Sequence, residues 1–268
     1  GQMMFLVNML SKMKHNTPLG SRIAEVHNGS SLFTGDAGSG ESNIRRWIIE
    51  NDWLEAIIAL PLNMFYNTGI ATYIWVLTNR KPDHRKGKVQ LIDATSWFKP
   101  LRKNLGKKNC ELSDEDIQRI LDAFLAFEET EESKIFSNDA FGYYKVTVER
   151  PLRLKSIDPE YAYKPAEIKK LKESHERDEN APPVIKKINK LGTAPDPIHG
   201  LFETTIHGKQ RVVEYESDPD LRDTEQIPLL EEGGIEAFLR REVLPHASDA
   251  WYVSDSAKIG YELSFTRY

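Results

Sequence analysis

Near the start of the chain apolar residues recur every three or four positions, at Met3, Met4, Leu6, Val7, Leu10 and Met13. This spacing predicts a helix over 2–14 with a wide apolar face, ended by Pro18 and Gly20. Residues 22–27 read as a short strand, and 28–40 as a loop rich in Gly and Ser. Ile44, Trp47 and Ile48 share one face of a second helix over 41–51. The run 54–60 is almost continuously apolar, the pattern of a strand covered on both faces, and Pro61 closes it. Residues 62–69 form a loop with Asn67 and Gly69 as turn residues, and 70–77 and 89–93 are further strands. Only about nine residues separate Leu60 from Ile70. A parallel crossover needs roughly a dozen or more, so these two strands are predicted to be antiparallel neighbours.

After Thr95 the pattern changes. Ser113 caps a predicted helix over 114–128, with Glu115 and Asp116 in its first turn and Ile117, Ile120, Leu121, Phe124 and Leu125 as its buried face. Residues 143–148 are β-rich, 164–177 form a charged helix, 181–200 a proline-punctuated connector, and 236–243 a last helix stopped by Pro245. No internal repeat is visible. The expected division is an α/β region over 1–97 followed by a mainly helical region over 98–268.

Composition narrows the class. Apolar residues make up 40% and charged residues 29%, which suits a packed core, and no run approaches the roughly 18 apolar residues of a membrane span. The single cysteine, Cys110, excludes an internal disulfide framework and fits a reducing, cytoplasmic setting. The net charge of −5 argues against a generally basic nucleic-acid coat. Its distribution is uneven, however. Ten bases, including Lys81, Arg85, Lys86, Arg102 and Lys103, lie between Arg80 and Lys108 against Asp83 and Asp93. Such a stripe either tracks phosphates or is a solvated surface. The acidic tract from Glu214 to Glu236 is expected to stay away from DNA, as a solvated face or against a basic protein surface.

Two familiar chemistries lack support. The segment Gly35-Asp36-Ala37-Gly38-Ser39-Gly40 lies where a phosphate-cradling loop would, but its glycines run G-x-x-G-x-G rather than G-x-G-x-x-G, and no Lys-Ser/Thr pair follows. It reads as a connection whose serines can cap the next helix. His199 and His207 are eight apart, without H-E-x-x-H or C-x-x-C spacing, and there is no Gly-x-Ser-x-Gly elbow.

The chain resembles the modification subunit of type I restriction–modification systems. The matching runs are Gly20-Ser21-Arg22-Ile23-Ala24, His27-Asn28-Gly29-Ser30, 32–45, 54–61 and 64–74. Further on, Val148-Glu149-Arg150-Pro151-Leu152-Arg153 looks like the family's helical-region motif, and 218–225 and 258–262 like its C-terminal portion. The resemblance implies the C-terminal half of a class I S-adenosylmethionine-dependent methyltransferase sheet with an antiparallel end hairpin. It implies transfer of a methyl group to adenine N6 of double-stranded DNA. The implied partners are a specificity subunit, a second modification subunit and a restriction subunit, with no membrane.

The chemical difficulty is nucleophilicity, because the adenine amino lone pair is delocalised into the ring. Enzymes of this kind flip the base out and hold its amino group with an Asn side chain and a Pro carbonyl from an Asn-Pro-Pro-(Phe/Tyr) loop. No such run occurs here, since Pro182-Pro183 follows Ala181, and no donor-binding F-x-G-x-G is present. The chain is therefore expected to begin after the catalytic loop, to hold no S-adenosylmethionine and to transfer no methyl group alone. In related amino-methyltransferases an aromatic before the last hairpin strand stacks on the flipped adenine. The matching position is Phe65, with Tyr66 second and Asn67 beside them, unless Phe65 is a core plug beneath the hairpin. Alternatively, the chain is a non-catalytic assembly module that docks on the specificity subunit and DNA.

Overall fold

A computed structural model describes residues 1–265. The chain divides into two compact units, Gly1–Tyr143 with the chain from Ile259, and Tyr144–Lys258.

The first unit opens with α1 (Met3–Leu10), which buries Met3, Leu6 and Leu10. β1 (Arg22–Asn28), the single turn α2 (Ser30–Phe33) and α3 (Gly40–Glu50) follow. β2 (Leu54–Ala59) is buried along its whole length, as its unbroken apolar run requires. β3 (Thr72–Thr78), β4 (Lys88–Asp93), a ribbon of β5 (Lys99–Leu105) and β6 (Lys108–Glu111), α4 (Asp114–Ala126) and β7 (Ser133–Ser137) complete the unit. Five strands form one sheet in the order β1-β3-β2-β4-β7. β2 pairs with β3 antiparallel, as the short connection predicts, and with β4 parallel. Ile58, Val76, Ile92, Trp97 and Ile120 pack into one core cluster.

Two expectations about this unit are corrected. The division near residue 97 falls inside it, because β7 returns to pair antiparallel with β4 and so ties residues beyond 97 to the sheet. Of the face expected to be buried on α4, only Ile120 is buried, while Ile117, Leu121 and Leu125 are exposed. The cap at Ser113 is present, its hydroxyl accepting from Asp116 N at 3.2 Å while Asp116 accepts from Ser113 N at 2.9 Å.

The chain enters the second unit along β8 (Gly142–Glu149), followed by α5 (Pro165–Ser174), β9 (Ile185–Ile188), β10 (Phe202–Ile206), β11 (Lys209–Tyr215) and β12 (Asp223–Pro228). It continues with α6 (Gly234–Phe238), which passes into a π-turn over Leu239–Val243, then β13 (Trp251–Tyr252) and β14 (Lys258–Tyr261). The expectation of a mainly helical region over 98–268 is overturned, since ten strands lie there against three α-helices and a few single 3-10 or π turns among the described residues. β10 and β11 form a hairpin closed by His207 and Gly208, both at positive φ (48° and 73°), the backbone that a two-residue hairpin turn demands. The Val148–Arg153 run is extended, not helical: Pro151 has no N–H to donate and biases Arg150 away from helical backbone. The acidic tract is neutralised largely within its own unit, where Glu214 meets Lys187, Glu216 meets Lys172, and Asp218 and Asp220 meet Arg177.

Candidate nucleic-acid interface

In open α/β sheets ligands bind beyond the carboxyl ends of parallel strands. Here that end belongs to β2 and β4, whose registers match Ala59 with Asp93. Ala94 N donates to Ala59 O at 3.0 Å, and Leu60 N donates to Thr72 O at 2.9 Å, so three strands stay knit up to the point where the loop over 61–71 departs. Asn63 and Asn67 both hold φ of 57°, a left-handed geometry that Asn tolerates better than most residues. Between these two corners stand Phe65, 37% exposed, and Tyr66, 68% exposed. Phe65 is thus no core plug. Leu62, Ile70 and Phe98 are exposed nearby in the chain, on the same loop and just after β4.

The β5–β6 ribbon holds this loop in place. Asn109 N donates to Asn63 O at 3.1 Å, the Lys108 ammonium to Met64 O at 3.0 Å and the Cys110 thiol to Leu62 O at 3.2 Å. At the ribbon tip Gly106 has φ of 61°, and a Cβ there would come within 2.3 Å of Asn67 Oδ1 and 3.3 Å of a Tyr66 ring carbon. Glycine is therefore required both for the turn and for the close approach. A cleft of about 550 Å³, lined by Leu62, Asn63, Thr95, Phe98, Leu101 and Asn109 among others, lies between loop and ribbon. That volume is within the roughly 300–1,000 Å³ usual for small-ligand clefts. Burial pushes the Cys110 thiol pKa up, so it is a packed thiol rather than a nucleophile.

The five candidate phosphate contacts do not behave alike. Lys81 is buried, its ammonium 2.6 Å from Asp52 Oδ1 and 2.7 Å from Lys88 O, and desolvation lowers its pKa against the pull of Asp52. Arg85 is buried too. It donates to Phe124 O and to Gln90 Oε1 and lies 4.1 and 4.3 Å from the Phe124 and Phe127 ring centroids. Neither can reach a phosphate, and both readings are corrected: long aliphatic stems let these cations serve the interior. Lys86 is exposed and pairs with the exposed Asp83 at 2.6 Å. Arg102 and Lys103 project from β5 and are exposed.

The glycine-rich loop before α3 closes on its own chain. A Cβ at Gly35 would lie 2.6 Å from Ser39 Oγ. Ser39 occupies the N-cap position but makes no capping hydrogen bond, contrary to the expected serine cap. Sequence reasoning missed Arg45, which lies wholly buried and fastens this region. Its Nε donates to Tyr261 O at 2.6 Å, Nη1 to Ser31 O at 3.0 Å and Nη2 to Thr34 O at 2.8 Å. The sequence signal was its place on the apolar side of α3, beside Ile48 and Ile49, where a charge has no solvent.

These elements define a mixed α/β sheet unit with an aromatic loop and a basic ribbon at the carboxyl end of its parallel strands. The chain belongs to the N-6 DNA methylase family, whose model matches residues 1–145. It is 37% identical over 133 residues to the type I restriction enzyme MjaIX methylase subunit of Methanocaldococcus jannaschii, an overlap of 49% of this chain and 22% of that protein. It is 39% identical over 80 residues to the HindI methylase subunit of Haemophilus influenzae, covering 30% of this chain and 17% of that protein. The chain thus spans about a fifth of the length of these relatives. Among solved structures, the type I restriction–modification methyltransferase subunit from Streptococcus thermophilus is similar at 26% identity and a TM-score of 0.43, over 52% of this chain and 27% of that one.

Proposed function

We propose that this chain supplies the base-accommodating side of a DNA adenine-N6 methyltransferase subunit in a type I restriction–modification complex. In this reading its sheet is the C-terminal half of a class I methyltransferase sheet. Phe65 stacks on the extruded adenine, with Tyr66 as the neighbouring face, and Asn67 fixes the turn between them and the ribbon. Lys86, Arg102 and Lys103 meet the DNA backbone. In this reading the residues present make no donor site: the glycine-rich turn before α3 has Gly35 pressed against Ser39, and the Arg45 donors beside it are engaged with carbonyls. S-adenosylmethionine is therefore held by parts of the enzyme outside these residues, and the chain alone transfers no methyl group. The specificity subunit, a second modification subunit and a restriction subunit complete the assembly, which works on double-stranded DNA in the cytoplasm. The second unit fits an assembly role, because it carries its own apolar clusters around Val146, Leu152 and Val213 and needs no ligand to close them.

The observation that carries this reading is an aromatic pair held exposed, on a pinned loop, at the carboxyl end of parallel strands. Base–aromatic stacking is worth roughly 1–3 kcal/mol per base, so Phe65→Ala is expected to weaken binding about 5- to 150-fold. The probe is a single-stranded oligonucleotide carrying 2-aminopurine, whose fluorescence is quenched on stacking. Unchanged affinity and quenching in both Phe65→Ala and Tyr66→Ala would reject the role.

A further inference from the structure

The β5–β6 ribbon carries a charge pattern that stacking on Phe65 does not explain. From Ala94 to Cys110 the sequence contains no carboxylate, and it contains Lys99, Arg102, Lys103, Lys107 and Lys108. Lys108 is engaged with Met64 O. The other four are exposed and enter no ion pair among the described residues; Lys12, Lys14, Lys88 and Lys134 of the same unit are likewise exposed and unpaired there, but they lie singly or in twos on other elements, while Arg22, Arg46, Lys81, Lys86 and Arg119 are each within 3.2 Å of a carboxylate. Lys99 at the base has Glu111 opposite it in register, so the uncompensated charge lies towards the tip, on Arg102, Lys103 and Lys107. Three exposed cations on one short ribbon raise a local positive potential that draws anions to it.

The shape is equally specific. β5 and β6 pair in a strand ladder only with each other among the described residues, so they form a two-stranded ribbon outside the main sheet, tied to the loop over 61–71. A two-stranded ribbon is one of the few protein elements that the roughly 12 Å major groove of B-DNA admits. A protein anion could satisfy the charges but would not use the ribbon's dimensions or its link to the aromatic loop. That link is rigid, through Asn109 to Asn63, Lys108 to Met64 and Gly106 against Asn67.

We propose that the ribbon is a duplex-DNA arm, entering a groove beside the target base and holding phosphates with Arg102, Lys103 and Lys107. Because it is clipped to the loop of Phe65 and Tyr66, it sets the distance between the gripped backbone and the stacked base. This rests on the proposed function, which already gives Arg102 and Lys103 to the DNA backbone, and adds to it a named element, a groove-sized shape and a third ribbon contact, Lys107.

The test is fluorescence anisotropy of the full 268-residue chain with a labelled mixed-sequence duplex, across a potassium chloride series. Each lost phosphate contact lowers the slope of log affinity against log salt by about 0.9, so Arg102→Gln, Lys103→Gln and Lys107→Gln together are expected to lower it by up to roughly 2.7. A control with Lys169→Gln, Lys170→Gln and Lys186→Gln removes the same charge from exposed sites of the second unit and is expected to leave the slope unchanged. Melting curves of the ribbon variant, matching those of the unaltered chain, separate lost contacts from lost folding. An unchanged slope in the ribbon variant, or an equal fall in the control, overturns the arm while leaving the stacking role of Phe65 standing. No duplex binding by the unaltered chain overturns the arm outright, and the 2-aminopurine experiment then decides whether the base-stacking reading falls with it.

Discussion

Replacing Arg45 with methionine tests whether the buried guanidinium is what holds the first unit's loops to its helices. The side chain is wholly inaccessible to solvent, and its three donors reach the Tyr261, Ser31 and Thr34 carbonyls at 2.6, 3.0 and 2.8 Å. Burial lowers its pKa to about 10, opposed by Tyr143, Glu262 and Glu41, so it stays charged at neutral pH. A hydrogen bond to a charged group contributes roughly 1.5–3 kcal/mol, and three give about 4.5–9 kcal/mol gross. Removing a desolvated charge recovers part of that, and methionine fills part of the volume, leaving a net loss of about 3–5 kcal/mol. At roughly 2–4 °C per kcal/mol for a domain of this size, the melting point should fall by on the order of 10 °C. Circular dichroism melting and urea titration measure both quantities. Arg45→Lys should recover only part of the loss, because an ammonium lacks the planar fork that spans three carbonyls. A methionine variant within about 1 kcal/mol of the unaltered chain would refute the reasoning, since three buried carbonyls would then cost almost nothing to leave unpaired.

Two further outcomes follow from the ion pairs. Lys81→Gln should destabilise the first unit by about 1–3 kcal/mol while leaving the salt slope of DNA binding untouched, since the ammonium is buried against Asp52 and Asp52 keeps its bonds from Gly87 N and Asn138. A normal melt with a slope lowered by about 0.9 would instead make Lys81 a phosphate contact. Asp249 titration should set part of the acid stability of the second unit. Its burial favours a raised pKa, but hydrogen bonds from Arg150 at 2.9 Å and Arg153 at 3.0 Å outweigh it and hold the carboxyl below its usual range. A depressed folded pKa gives stability that is present in full above the unfolded value of about 3.9 and is lost as pH falls towards the folded one. Asp249→Asn should therefore shrink the melting-point difference between about pH 5 and pH 3, and an undiminished difference would assign the acid sensitivity elsewhere.

What was legible in the sequence was what short-range geometry constrains. The connection between β2 and β3 is too short for a crossover, so their antiparallel pairing was forced. Ser113 with Asp116 three residues on is a local cap, and it formed. What was not legible depends on partners far apart in the chain. Lys81 and Arg85 stand in the basic stripe with Lys86, yet Asp52, 29 residues before Lys81, and the Phe124 ring, 39 residues after Arg85, draw them inward. Charge density along a chain carries no information on which stems are buried. The second unit was misread for a different reason. Its strands are short and polar on one side, and their strongest local signal is the two-residue turn at His207-Gly208. The ribbon was missed likewise, because Lys, Pro and Asn are poor strand formers and Gly106 was its only clear marker.

The aromatic pair shows why a site needs more than the right residue type. Phe65 and Tyr66 on an unsupported loop would gain by folding down to cover themselves, since burying such a side chain is worth roughly 1.5–3 kcal/mol. Their exposure is maintained by backbone they do not control: left-handed corners at Asn63 and Asn67, and ribbon donors on the Asn63, Met64 and Leu62 carbonyls. Fixing each residue's backbone costs about 1–2 kcal/mol. In this loop that cost is met during folding, before any ligand arrives, so a base stacking there would not have to order the loop as well. The exposed rings are a folded feature of the chain, and the ribbon is the element that makes them one.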